Sequence, residues 1–174
     1  MTQRETAQVT IYTDGACIGN PGPGGYGVVL IAGDQRRELS GGYRLTTNNR
    51  MEILAAVVAL ESLTAPRRVT LFSDSRYVVD AMAKGWARRW KANGWMRNRR
   101  RNRREAAINP DLWERMLTAS APHQVDFRWV PGHAGVPENE RCDRLAVAAA
   151  RGKDLPADTG YESAASAGPS QLSF

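Results

Sequence analysis

The hydrophobic period of this chain changes near residue 50, and the change restricts the architectures open to it. Up to Arg44 the apolar residues alternate and β-formers dominate, so QVTIYT at 8–13, GYGVVLIAG at 25–33 and RRELSGGYR at 36–44 read as three strands. GNPGPGG at 19–25 makes the first turn and Gly33-Asp34 the second, which gives an antiparallel meander. From Met51 the apolar residues Leu54, Ala55, Val58 and Leu63 fall near helical spacing, and the polar run Thr46-Thr47-Asn48-Asn49 supplies an N-cap. Beyond it the spacing predicts a strand over 68–73, a helix over 75–83, a helix over 111–119 and a strand over 125–130. A last helix opens at Pro137, a position proline tolerates, and runs to about Arg151. Residues 86–105, rich in Trp and Arg, predict a helix followed by a mobile loop. The order implies an α/β fold: a five-stranded mixed sheet flanked by helices. Three strands are antiparallel, and the two later ones, reached by crossovers, lie parallel to the first.

The 174 residues suit one domain, expected over 1–158 with a basic protrusion at about 84–105. The tail over 159–174, ending SAASAGPSQLSF, is small and polar and is expected to be disordered. No apolar run approaches the roughly 20 residues that span a bilayer, and MTQRETAQ lacks the apolar stretch of a signal peptide. No membrane partner is expected, and the expected compartment is the cytoplasm. Two cysteines, Cys17 and Cys142, are too few for a disulfide framework and suit that compartment. The net charge is +6, from 24 basic and 18 acidic residues, and its distribution says more than its size. Residues 84–105 hold ten Lys/Arg and one acid, Glu105, leaving 14 basic and 17 acidic residues elsewhere, a net of −3. One segment carries the whole positive excess, and a polyanion, nucleic acid by default, is its expected partner.

Four acids sit where local rules disfavour them or where an element ends. Asp14 ends an apolar first strand, Asp74 ends RVTLFS, Glu52 lies in the first turn of the first helix, and Asp143 lies beside the apolar stripe of Cys142, Leu145, Ala146 and Ala149. Each has a plain alternative: Glu52 as a capping-box partner of Asn49, Asp74 as a helix cap, Asp14 as a turn stabiliser, Asp143 as a solvated helix residue. Together they point elsewhere. Ligand sites in parallel α/β sheets gather at the carboxyl ends of strands, where Asp14 and Asp74 both fall. Such a cluster repels itself without cations, and hard cations with oxygen ligands, Mg²⁺ or Mn²⁺, suit it. Two of them about 4 Å apart hold the attacking and leaving oxygens of a phosphodiester displacement.

YTDGACIGNPGPGGYG, TTNNRMEILA, FSDSRYV and WVPGHAGVPENERCDRLA stand in the order and approximate spacing of type 1 ribonuclease H, the bacterial form. Over roughly residues 8–161 the chain resembles that family. The resemblance implies a ribonuclease H-like fold and an endoribonuclease that hydrolyses the RNA strand of RNA–DNA hybrids. It implies catalysis by two Mg²⁺ ions, with Mn²⁺ able to substitute, and 5′-phosphate and 3′-hydroxyl ends. It implies a monomer without an obligate protein partner. It carries the catalytic carboxylates to Asp14, between both metals, to Glu52 and Asp74 on the water-activating metal, and to Asp143 on the other. His133, in PGHAG, matches the loop histidine that assists proton transfer or product departure. The 2′-hydroxyls of RNA fall to groups near Cys17, Asn20, Asn48 and Glu52, and a DNA-strand phosphate to Thr47, Asn48 and the adjacent helix N-terminus. Arg76 departs from the glutamine often found at its position and suits a phosphate instead. WARRWKANGWMRNRRRNRRE resembles the family's basic handle: Trp90 packs, Trp86 also stacks on DNA sugars, and Arg97, Arg99, Arg100, Arg101, Arg103 and Arg104 bind the backbone.

Two readings compete: a resolvase- or integrase-type DNA nuclease of the same superfold, and a non-catalytic hybrid-binding module. TTNNRME and PGHAG argue against the first, and the complete set of four carboxylates argues against the second. The arginine run yields a separate test. Each neutralised phosphate steepens the salt dependence of duplex binding by about 0.9. Replacing the six arginines with serine is expected to weaken hybrid binding and flatten its salt slope, with turnover at saturation little changed. Binding titrations against salt in Ca²⁺ check this, and equal slopes would make the run a bystander.

Overall fold

Alternation along β1 (Gln8–Cys17) buries Val9, Ile11 and Thr13 and makes it the centre of the sheet. The computed structural model describes residues 8–99 and 103–166. Two strands, β2 (Gly22–Ala32) and β3 (Gln35–Thr46), complete the antiparallel meander. After α1 (Asn48–Glu61), β4 (Arg68–Ser73) adds to the other side of β1 in parallel, with Gln8 opposite Arg68 and Thr13 opposite Ser73. The helices α2 (Arg76–Ala83), α3 (Trp86–Ala92) and α4 (Pro110–Ser120) lead to β7 (Gln124–Trp129), parallel to β4 at the edge. The sheet order is β3-β2-β1-β4-β7, with the three antiparallel and two parallel strands that the sequence leads one to expect.

Helix α1 and helix α5 (Pro137–Ala150) take opposite faces of the sheet. Gly24 meets Met51 of α1, whereas Gly25 and Gly27, one face away, meet the backbone of α5 at Ala146 and Cys142. A Cβ at either glycine would strike helix backbone, so α5 lies directly on β2. Helix α1 is sandwiched between the sheet and α4 and is buried nearly all round. Ile53, Val57 and Leu60 pack there with Ile11, Val28, Leu71, Trp113 and Met116. Among the described residues no helix is long and apolar enough to cross a membrane.

The structure departs from the sequence reading at several places. β2 starts at Gly22, inside the GNPGPGG run. Pro23 lacks an N–H, yet its carbonyl accepts from Ile18 N at 2.7 Å, and the pairing survives. Residues 96–99 and 103–106 are strands, where a mobile loop was expected. β5 (Met96–Arg99) and β6 (Arg103–Ala106) form an antiparallel ribbon whose polar residues on both faces hide any alternation. Its base is fixed by Trp95, which donates to Trp90 O at 2.6 Å and accepts from Ala107 N at 2.8 Å. Arg97 and Arg99 lie on β5 and Arg103 and Arg104 on β6, while Arg100 and Arg101 fall outside the described residues. Glu52 is the fifth residue of α1, past its first turn. The tail expected to be disordered from 159 begins instead with α6 (Thr159–Ser166), held by ion pairs that composition does not reveal. Its later residues, 167–174, lie outside the described residues.

The contact of α5 with β2 sets a test. Gly27→Ala places a methyl against Cys142 O, so α5 must lift. Overpacking of this kind costs about 1–3 kcal/mol, and the melting temperature is expected to fall by roughly 2–10 °C. Calorimetry reads this, and an unchanged melting temperature would contradict the direct packing.

Candidate metal centre

The parallel ladder between β1 and β4 ends at Thr13 opposite Ser73. The next residues are Asp14 and Asp74, so the two carboxylates leave the sheet side by side. β1 itself runs on to Cys17, paired only with β2, with Asp14 opposite Gly27. Asp14 therefore ends the parallel pairing rather than the strand, which corrects the sequence reading. Ser75, not Asp74, caps α2, accepting from Val78 N at 3.2 Å. Thr47 caps α1 by accepting from Arg50 N at 3.3 Å, and Glu52 lies beyond any capping box. Gly15 brings Glu52 in: a Cβ there would lie 2.5 Å from Glu52 N, so only glycine lets β1 and α1 approach this closely. Oxygens of Asp14, Glu52 and Asp74 lie within 4.8 Å of one another. Asp143, half-buried on α5, stands outside that group but close enough to raise both aspartates.

Burial and mutual repulsion make this cluster hold protons. Burial, then Asp74, pushes the Asp14 carboxyl from 3.8 up to about 7, although it accepts from Gly15 N at 2.8 Å. Burial, then Asp14 and Asp74, holds Glu52 well above the ordinary carboxylate range. Burial also raises Asp74, and nearby His133 opposes the shift. Glu52 Oε2 is buried without a hydrogen-bond partner among the described residues. A buried carboxylate oxygen with no donor, facing two more carboxylates, fits a hard divalent cation in both charge and ligand type.

The other expected site residues fall into three groups. The first lies beside α1. Asn20 Oδ1 accepts from Asn48 N at 3.1 Å, and Cys17 Sγ approaches Gly19 O, Gly22 O and Thr46 O at 3.2–3.5 Å. Cys17, Asn20, Thr47 and Asn48 thus form one lip next to Glu52. The second lies beyond Asp74. His133 is exposed at φ 53° in the loop before α5, and a Cβ at Gly132 of that loop would lie 2.6 Å from Asp74 Oδ2, so the glycine leaves that carboxylate room. Arg76 lies over the Trp129 ring, 3.8 Å from its centre, and Trp129 Nε1 donates to Asp74 O at 3.0 Å. The third is the basic excursion of α3 with the ribbon. Trp86 is half-buried against the core, with Lys84 Nζ 5.4 Å from its ring centre. Sequence reasoning missed Trp129 and also Arg50, a buried cation beside the apolar residues of α1. The placement of an arginine among Met51, Ile53 and Leu54 was the available signal.

The raised carboxyls set the sign of a pH effect. Asp14 titrates near 7 in the folded chain and near 3.8 when unfolded, so the folded state is favoured at low pH. That advantage is lost as pH rises from about 4 to about 7. In EDTA at about pH 8, Asp14→Asn is expected to raise the melting temperature by at least about 2 °C, with the gain vanishing near pH 4. Saturating Mg²⁺ is expected to reverse the order. Thermal scans check both, and no gain at pH 8 in EDTA would contradict the repulsion.

Comparison with known proteins agrees with this geometry. A ribonuclease H family model matches residues 6–151. The ribonuclease H of Trichodesmium erythraeum is 57% identical over 162 residues, 93% of this chain and 100% of that one. The ribonuclease H of Syntrophus aciditrophicus is 65% identical over 154 residues, 88% and 87% of the two chains. Among solved structures, LC9-RNase H1, a type 1 RNase H with the type 2 active-site motif, is similar with a TM-score of 0.75 at 35% identity, covering 94% of this chain and 83% of that one. LC11-RNase H1, solved in complex with an RNA/DNA hybrid, shares the fold with a TM-score of 0.59 at 24% identity, over 81% and 95% of the two chains. With its strand order, its carboxylate cluster and these relatives, the chain belongs to the ribonuclease H family.

Proposed function

We propose that this protein is an endonuclease that hydrolyses the RNA strand of RNA–DNA hybrids, leaving 5′-phosphate and 3′-hydroxyl ends. The observation that carries the proposal is the convergence of Asp14, Glu52 and Asp74, with one Glu52 oxygen left without a protein partner. These residues and Asp143 would hold two divalent cations, Mg²⁺ or Mn²⁺, with Asp14 serving both and Asp143 the second alone. Bound there, such ions polarise the scissile phosphate and lower the pKa of water.

The chain's own groups supply the rest. Asn20, Asn48 and Cys17, lining the lip beside Glu52, offer the donors and acceptors that a ribose 2′-OH pairs with. A deoxyribose leaves those polar groups unpaired, and discrimination against a missing hydroxyl is steep. The start of α1 at Thr47 and Asn48 suits a DNA-strand phosphate, and Arg76, beside Asp74, suits another. His133, exposed in a loop against Asp74, moves a proton at the departing 3′ oxygen or eases product release. Lys84, Arg88, Arg89 and Lys91 with the arginines of the ribbon, and Trp86 with them, carry the DNA strand. The protein works as a monomer in the cytoplasm, where free thiols at Cys17 and Cys142 suit a reducing environment. Burial pushes the Cys142 thiol up to about 12, which leaves it unreactive.

The test is cleavage of a hybrid labelled on its RNA strand, run beside duplex DNA and duplex RNA, in Mg²⁺ and in EDTA. Cutting is expected only in the hybrid, only in its RNA strand and only with metal, with Asp14→Asn slower by at least about 100-fold. Cleavage of duplex DNA, or near-normal turnover by Asp14→Asn, would contradict the proposal.

A further inference from the structure

Arg50, 3% exposed, is the third residue of α1, and none of the roles above uses it. Its guanidinium makes five hydrogen bonds. Nε and Nη2 donate to the two oxygens of Asp158 at 2.7 and 3.0 Å. Nη1 and Nη2 donate to the two oxygens of Asp111 at 2.9 and 2.7 Å, and Nη1 also to Asn109 Oδ1 at 3.1 Å. One side chain thus joins the start of α1, the start of α4 and the segment after α5. That segment lies past residue 151, where the match to the family model stops. A buried cation satisfied on every side loses heavily when one carboxylate partner is removed.

The same segment grips the turn into α1 from outside. Asp158 Oδ2 accepts from Thr46 Oγ1 at 2.6 Å, and Pro156 O accepts from Arg44 N at 2.9 Å. Arg44 also forks onto Glu162 of α6 at 3.1 and 3.2 Å. Asp158 caps α6, its Oδ1 near Tyr161 N at 3.3 Å. Between these anchors lie Thr47 and Asn48, and Asn48 N is the donor to Asn20. Glu52 is held differently. Met51, Ile53, Leu54 and Val57 are fully or almost fully buried, and β1 abuts the helix at Gly15. The turn and the metal ligand therefore have separate supports.

We propose that residues 156–162, acting through Asp158 and Arg50, form a clasp that holds Thr47 and Asn48 in the geometry that grips the hybrid. Asp158 and Arg50 are then positioning residues for substrate and not for the metal centre. The inference rests on the hybrid being the substrate, and its test separates the two. Full-length Asp158→Asn removes one charge, and Arg50→Lys keeps the charge but loses the fork. Both are compared with the wild type at a temperature where all three are folded. Hybrid affinity in Ca²⁺ is expected to fall about tenfold, while kcat at saturation in Mg²⁺ stays within about twofold. Amide exchange at Asn48 and Arg50 is expected to speed up by about tenfold, with Leu54 and Val57 unchanged. Wild-type affinity together with wild-type exchange at Asn48 and Arg50 would overturn the clasp. So would a loss of kcat with affinity unchanged, or equal acceleration along all of α1. If the wild type itself binds no hybrid, the proposed substrate fails, and the exchange pattern alone decides the clasp.

Discussion

Where the parallel pairing of β1 and β4 stops decides almost everything else in this molecule. The register holds Thr13 opposite Ser73 and then ends, so the next residue of each strand, Asp14 and Asp74, leaves the ladder at one point. Gly15 admits the backbone of α1 against β1, and Glu52 arrives as the third carboxylate. Among the described residues no cation forms an ion pair with any of the three, and His133, near Asp74, offsets part of the repulsion. Burial lifts each of them, and the repulsion between them adds to the cost. A folded chain keeps such a cluster when a bound cation compensates it, and the stability forgone without metal is the counterpart of the chemistry.

Around that point the scaffold divides its tasks. Glycines at 25 and 27 lay α5 on the sheet and bring Asp143 within electrostatic reach of Asp14. Trp129, on the edge strand, holds the Asp74 carbonyl and carries the Arg76 guanidinium on its ring. The basic residues of α3 and the ribbon leave the main sheet altogether, so the backbone binding proposed for them and the metal chemistry proposed for the carboxylates draw on separate elements. Affinity and turnover should accordingly respond to different substitutions.

Much of this was legible in the sequence, for identifiable reasons. The sheet was legible because β1, β2 and β4 are apolar enough to show their period, and Thr47 was within the polar run that marks the start of α1. The carboxylate cluster was legible because Asp14 and Asp74 interrupt strand-like runs, and because their motifs resemble one family. The ribbon was not, since Arg-Asn alternation places polar groups on both faces. Helix α6 was not, since Arg50 with Asp158 and Arg44 with Glu162 join residues more than 100 positions apart. Nor does a sequence show that β1 continues past Asp14 on one partner alone, because the loss of β4 is a property of the sheet.

The role proposed for Asp14, Glu52 and Asp74 is to hold a divalent cation. Crystals grown with Mn²⁺ and measured at the manganese absorption edge test it most directly. An anomalous peak is expected at roughly 2.0–2.3 Å from carboxylate oxygens of Asp14, Glu52 and Asp74. A map with no peak at those carboxylates under saturating Mn²⁺, or with its only strong peak elsewhere on the protein, would contradict it.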